Sequence, residues 1–281
     1  MRFNGEVITS RNNPLVKWAS SLTEKKYRDS EKSFIIEGEK LAFEALAAGL
    51  PVTHIILDSE KADRLMDRIE GFADNEKFSN TLVVQVSESA FSKISGEKSP
   101  QGIILIIKYL DFFSKLDIIY KEEFFLKSDE RAIILSSIRD PGNLGSVIRS
   151  AVAFGTEHII LSEDCVDLYN SKTVRAAMGS FFKIKATVVS DLVATISALR
   201  EHGRSVYAAE LRPGAVSLSN IDRSPYDIVV IGNEGHGIPE DVSAACSASV
   251  YIPISENTES LNASVAAGVL MWEFSKKISF N

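Results

Sequence analysis

Three short stretches of this chain combine residue types that can do chemistry with spacings that bring them together. The first is Arg139-Asp-Pro-Gly-Asn143 followed by Arg149 and Gly155. Asp-Pro-Gly makes a tight turn, Asn143 suits a helix N-cap and Gly155 suits the C-terminal cap. Arg149 then lies between one and two helical turns from Asn143 and offers a guanidinium to an anion. The second is Ile228-Val-Val-Ile-Gly232-Asn-Glu234-Gly235-His236-Gly237, an apolar strand ending in a glycine-rich loop. It lacks the Gly-Lys-Ser/Thr of a P-loop and the spacing of a dinucleotide fingerprint. Its carboxylate, Glu234, repels phosphate, so the loop suits close approach of a neutral or cationic group. The third runs from Tyr251-Ile252-Pro253 through Ser260-Leu261-Asn262 to Gly268. There a strand ends in a proline, a polar loop follows, and a helix lined by Ala263, Ser264, Ala266, Ala267 and Gly268 begins with Ser260 at its cap. A polar helix start beside a strand end can hold a ligand. Taken singly, each stretch is equally compatible with a capped helix or a plain turn. His236 has no second histidine placed to share a metal.

The elements that must position these residues form two patterns. Residues 12–30 read as a helix, 34–38 as a short strand and 39–48 as a helix closed by Gly49. A strand at 52–57, a charged amphipathic helix at 59–72 and strands at 82–86 and 103–108 follow. From residue 131 the chain alternates strand and helix. Strands are expected at 132–138, 157–162, 184–189, 205–210, 227–232 and 249–254, and helices at 143–154, 170–180, 191–202, 239–246 and 260–277. Ile/Val-rich strands alternating with helices imply a parallel sheet covered on both faces, with ligands at the carboxyl ends of its strands. Between the two patterns, 109–130 holds six aromatic residues among acidic and basic ones and reads as a connecting helical segment.

Composition sets the bounds. The 281 residues are 45% hydrophobic and 25% charged, ordinary for a globular chain of one large or two smaller domains. No apolar run approaches the roughly 18 residues of a membrane span, and the start lacks a signal-peptide core. Cys165 and Cys246 are isolated and match no metal or redox spacing, which fits a reducing, cytoplasmic setting. The net charge of −7 does not advertise nucleic-acid binding. Residues 1–32, however, carry seven Lys/Arg against four Asp/Glu, a net of +3. If the protein meets phosphates, that segment is where charge favours it.

In this order and at these intervals, the three stretches resemble the three motifs of the SpoU (TrmH-like) methyltransferases of the SPOUT superfamily. Asn143 and Arg149 are similar to the first motif, Gly232–Gly235 to the second, and Ile252-Pro253 with Ser260-Leu-Asn-Ala-Ser264 to the third. Residues 10–108 resemble the family's L30e-like substrate-recognition module through Ser10-Arg-Asn-Asn-Pro14, Ile36-Glu-Gly38 and Ser99-Pro-Gln-Gly102. The resemblance implies an α/β fold. A parallel sheet with a deep trefoil knot would occupy 131–281, an L30e-like RNA-binding domain 31–108, a helical arm 1–30 and a connector 109–130. It implies transfer of a methyl group from S-adenosylmethionine to a ribose 2′-hydroxyl of structured RNA. Ribosomal RNA of the 23S type is favoured by the separate N-terminal module. The alternatives are a transfer RNA substrate, or a non-catalytic RNA-binding protein on the same fold. The resemblance further implies a metal-free, soluble homodimer. Its catalytic constellation would be Asn143, Arg149, Glu234, Ser260 and Asn262, with the cofactor held at Leu211, Gly232, Ile252 and Leu261. One departure stands out: Glu256 occupies the loop where the family has glycine.

Overall fold

The computed structural model describes residues 1–116 and 126–276. By internal contacts the chain divides into two units. The first comprises residues 1–110 with 167–182, the second residues 111–166 with 183–281. The sequence pattern alone groups 167–182 with the later residues. Tyr120, Phe124 and Phe125 of the aromatic segment lie outside the described residues.

The first unit is built on a five-stranded sheet. Strands β1 (Arg2–Phe3), β2 (Ser33–Glu37), β3 (Val52–Asp58), β4 (Leu82–Val86) and β5 (Ile103–Lys108) lie in the order β1-β4-β3-β5-β2. β4 pairs parallel with β1 and β3, whereas β5 runs antiparallel to β3 and β2. Ile103 to Ile107 are fully buried, the continuous apolar run of a strand covered on both faces. Helix Pro14–Ser21 sets Val16 and Ala19 against Ile35, Ile56, Ile104 and Ile106, with Phe91 and Ile94 from helix Glu88–Ile94.

The helix expected over 12–30 is in fact two, Pro14–Ser21 and Lys25–Glu31. The hydroxyls of Ser21 and Thr23 donate to the carbonyls of Trp18 and Ser20, competing with further helical turns. Arg28 then folds back and donates to the carbonyls of Leu22 and Thr23 at 3.0 and 2.7 Å. Only 3% exposed and paired with Asp167, it anchors the break, so it is withdrawn from the basic surface of residues 1–32. Residues 167–182 pack here too. The Tyr169 ring stacks on Tyr109 at 3.9 Å, and helix Ser171–Ala177 lies against β2.

The second unit is built on an eight-stranded sheet. Its strands are β6 (Phe113–Leu116), β7 (Ala132–Leu135), β8 (His158–Ser162), β9 (Lys185–Val189), β10 (Val206–Ala209), β11 (Val216–Ser217), β12 (Ile228–Ile231) and β13 (Ala248–Tyr251). The order is β11-β13-β10-β12-β7-β8-β9-β6, and every pairing is parallel. Ile134, Ile160, Val206 and Val230 fill one core with Ile196 and Leu199 of helix Leu192–Glu201. The connecting segment is therefore not all helical: β6 extends the sheet beside β9 as its last strand, with Ser114 and Lys115 exposed. Because the strands are parallel, the loops leaving the neighbours β13, β10, β12 and β7 all emerge at one edge. Those loops carry the three motifs.

Candidate active site

The first helix of the site starts earlier than the sequence suggests. It spans Pro141–Ala153, and its N-cap is Asp140, whose carboxylate accepts from the Asn143 N–H at 2.7 Å. Proline at the first helical position needs no donor, which favours this register. Asn143 is thereby released from capping and its side chain faces outward from the first turn. The last helix, Ala263–Ser275, is capped by Asn262 rather than Ser260. Asn262 Oδ1 accepts from Ser264 N at 2.9 Å, Val265 N at 3.3 Å and Ser264 Oγ at 2.6 Å.

That capping has a chemical consequence. An amide whose oxygen is committed to a helix start must point its NH₂ the other way. Asn262 Nδ2 donates to Asn143 Oδ1 at 3.0 Å. Asn143, its oxygen now occupied, donates through Nδ2 to Glu234 Oε1. The result is a one-directional relay from the helix N–H groups through two amides to one carboxylate. It joins residues 119 and 91 positions apart in the chain.

The loop bearing Glu234 is shaped by close backbone approach. A Cβ on Gly232 would lie 2.4 Å from the Gly237 carbonyl carbon, so no side chain fits there. Asn233 and Gly237 bond each other's backbone at 3.1 and 2.9 Å, with Gly237 at φ 68°. The Asn233 amide oxygen accepts from Gly235 N at 2.8 Å and His236 N at 3.3 Å, while its nitrogen donates to Ser137 O at 3.0 Å. Ser137, just past β7, adopts a left-handed φ of 58°. Its hydroxyl donates to Asp164 at 2.6 Å, and Arg139 reaches the same carboxylate at 2.8 Å. Burial opposes ionisation of Asp164, but donors from Ser137, Ser162 and Arg139 outweigh it and hold the carboxyl below its usual range.

Two adjoining clefts open beside this constellation, of about 340 and 390 Å³. Ile252 lines the first and Gly232 and Glu234 line the second, whereas Leu211, Ser260 and Leu261 line both. All four expected cofactor residues are thus brought to one continuous space. Leu211, 79% exposed, lies at its mouth. The charged lining residues are Glu210 and Glu259 in one cleft and Glu210 and Glu234 in the other, and neither lining includes a lysine or arginine. Such walls favour a ligand carrying positive charge. Burial again opposes ionisation of Glu210, yet donors from the hydroxyls of Ser243 and Ser249 and from the Arg212 guanidinium hold its carboxyl below the usual range. Arg149 is exposed on its helix, and its side chain makes no hydrogen bond or ion pair among the described residues. Glu256 sits in the exposed loop after β13 and does not line either cleft, whereas Glu259 does. Among the described residues no group of three or more His, Cys, Asp or Glu is placed to hold a metal.

Sequence reasoning passed over Asn233, Ser137 and Asp164. Asn before Glu-Gly carried a turn signal, but its partner lies 96 residues away.

Residues 130–272 match the SpoU rRNA Methylase family, and residues 13–105 match the MRM3-like substrate binding domain. The chain is 31% identical over 265 residues to the 23S rRNA (guanosine(2553)-2'-O)-methyltransferase RlmP of Bacillus subtilis, covering 94% of this chain and 97% of that one. An rRNA methyltransferase from Sinorhizobium meliloti superposes with a TM-score of 0.83 at 30% identity, covering 100% of both chains. The AdoMet-bound structure of an rRNA methyltransferase from the same organism gives 0.82 at 30% identity, over 98% of this chain and 99% of that one.

Proposed function

Since this chain belongs to the SpoU rRNA methylase family, we propose that it methylates a ribose 2′-hydroxyl of ribosomal RNA, with S-adenosylmethionine as methyl donor. The observation that carries this reading is the Asn262–Asn143–Glu234 relay standing at the rim of clefts whose walls hold carboxylates and no basic side chain. The cofactor, with its sulfonium and ammonium against one carboxylate, suits those walls. Bound there, it supplies an electrophilic methyl carbon on a good leaving group. Backbone groups at Leu211, Gly232, Ile252 and Leu261 hold it.

The protein's part is alignment of the attacking oxygen and stabilisation of developing charge. Arg149, exposed and unengaged, grips the phosphate next to the target ribose and stabilises negative charge on its 2′-oxygen as the hydroxyl proton passes to solvent water and S-adenosylhomocysteine leaves. Arginine stays protonated in proteins, so it serves as an anion clamp rather than as a base. Glu234, with its orientation set by Asn143 and Asn262, and Ser260 at the cleft mouth order the groups around that hydroxyl.

Two assembly features belong to the same reading. β13 lies between β10 and β11, and Val250 pairs with Ala209 on one side and Val216 on the other. The connection 210–215 therefore crosses from one side of β13 to the other near its end, a crossing that supports a trefoil knot. On helix Ala263–Ser275, Val265, Val269 and Trp272 are 51, 37 and 49% exposed at helical spacing and form one apolar stripe. The stripe supports a homodimer. Trp272→Glu is expected to shift sedimentation to the monomer without unfolding the chain. No helix among the described residues is long and apolar enough to cross a membrane. The two free thiols and an RNA substrate fit residence in a reducing cytoplasm.

The deciding experiment supplies labelled S-adenosylmethionine with ribosomal or transfer RNA from cells lacking the gene, then maps 2′-O-methyl positions. Label entering ribosomal RNA at one ribose is the expected result. Label entering only transfer RNA would replace the substrate, and cofactor binding without transfer to either would leave an RNA-binding module.

A further inference from the structure

We propose that Asn233 is a positioning residue for methyl transfer and that the two ends of its amide do separate work. This rests on the reading above and deepens it. The acceptor end shapes the glycine loop that holds the cofactor. Its oxygen takes the N–H groups of Gly235 and His236, and the backbone pairing of Asn233 with Gly237 closes the loop behind it. The donor end reaches out of the loop to Ser137 O at 3.0 Å.

Ser137 is a firm anchor for that reach. Its left-handed backbone persists only where the surroundings over-determine it. Here its N–H donates to Ser162 Oγ at 2.9 Å and its hydroxyl to Asp164 at 2.6 Å, which fix it to the end of β8 and the loop that follows. The segment that follows Ser137 leads directly into the helix bearing Asn143. The two loops are therefore tied twice: at the tips by Asn143–Glu234, and at the base by Asn233–Ser137. A single tie lets one loop pivot about the other. Two ties fix both the separation and the angle of Glu234 relative to Asn143. Asn262 also bonds Asn143, so the base tie sets the geometry in which the ribose is presented.

The test separates the two ends of the amide. Asn233→Asp keeps an oxygen for Gly235 and His236 but cannot donate to Ser137, whereas Asn233→Ala loses both functions. Binding of labelled S-adenosylmethionine, kcat and KM on ribosomal RNA from a gene-deleted strain, and thermal unfolding are measured for each. For Asn233→Asp, cofactor affinity is expected within about 3-fold of wild type, because the loop shape survives, while kcat falls roughly 100-fold, the scale of a 1 Å misplacement. Asn233→Ala is expected to lose a similar factor in kcat and, in addition, roughly 10-fold in cofactor affinity as two N–H groups lose their acceptor. Equal loss of cofactor affinity in both variants, or full kcat in Asn233→Asp, would overturn the proposal. Wild-type protein that binds no S-adenosylmethionine or methylates no RNA would overturn the parent reading instead, and the two failures are told apart by the unmutated enzyme.

Discussion

Replacing Asn262 by aspartate isolates the relay from the fold. Aspartate caps helices as well as asparagine does, so the bonds to Ser264 N and Val265 N at 2.9 and 3.3 Å are kept. What disappears is the donor to Asn143 Oδ1 at 3.0 Å. Two oxygens then face each other. Asn143 can flip its amide to donate to the introduced carboxylate, but its own oxygen then faces the Glu234 carboxylate. Either way one acceptor–acceptor contact remains in the chain. One net hydrogen bond is worth about 1 kcal/mol, and leaving a polar group mispaired adds about 1–2 kcal/mol at this partly exposed site. At about 1.4 kcal/mol per tenfold, the sum of about 2–3 kcal/mol predicts a roughly 30- to 140-fold lower kcat. Asn262→Ala should show the same kinetic loss and also lose the cap, at about 1 kcal/mol of stability or a drop of roughly 2–4 °C in Tm. Methyl transfer and thermal unfolding of the two variants decide the matter. Aspartate at full activity, or aspartate as unstable as alanine, would refute the directional relay.

Three further outcomes follow from the same geometry. Gly232→Ala places a Cβ 2.4 Å from the Gly237 carbonyl carbon, so the loop must open; loss of cofactor binding in a titration, with the rest of the fold retained by circular dichroism, is expected. Arg149→Ala should lower kcat by roughly 100-fold or more, as for one donor of an oxyanion site. Arg149→Lys should restore part of it with no new limb in the pH–rate profile; full restoration with a base limb moved towards the lysine range would instead make Arg149 the base. The Asp164 carboxyl is depressed in the folded state below its ordinary value of 3.8, so its contribution to stability is present above that value and lost as pH falls through the folded-state value. Asp164→Asn should therefore lower the denaturant midpoint at pH 7, and the gap to wild type should close as the pH drops below about 4.

Much of the layout was legible because burial on both faces leaves a plain trace. Ile133–Leu135, Ile159–Leu161 and Ile228–Ile231 are unbroken apolar runs, and only a parallel sheet between helices calls for several of them in alternation with helical periods. Short edges left no such trace. Phe113–Leu116 and Arg2–Phe3 are strands because a neighbour offers them a ladder, not because four or two residues prefer one. Capping was misplaced twice, at Asn143 and at Ser260. In both places several good caps stand within three residues, and the choice falls to the register that leaves fewest polar groups unpaired. The signal at the first was present in Pro141, whose missing N–H marks the start of a helix.

By itself, the sequence determined which residues were available for the reaction and at which strand ends they would emerge. Composition and periodicity act locally, and Asn143 in the first turn of a helix, Glu234 after a strand and Asn262 before a helix all sit at element ends that local rules can find. What only the tertiary structure decided is which way each of these groups points and what it touches. Asn262 donates to Asn143 because its oxygen is spent on a helix start, and Asn233 braces Ser137 across 96 residues of chain. Hydrogen-bond direction depends on the full set of partners around a group, and that set exists only once strands distant in sequence lie side by side.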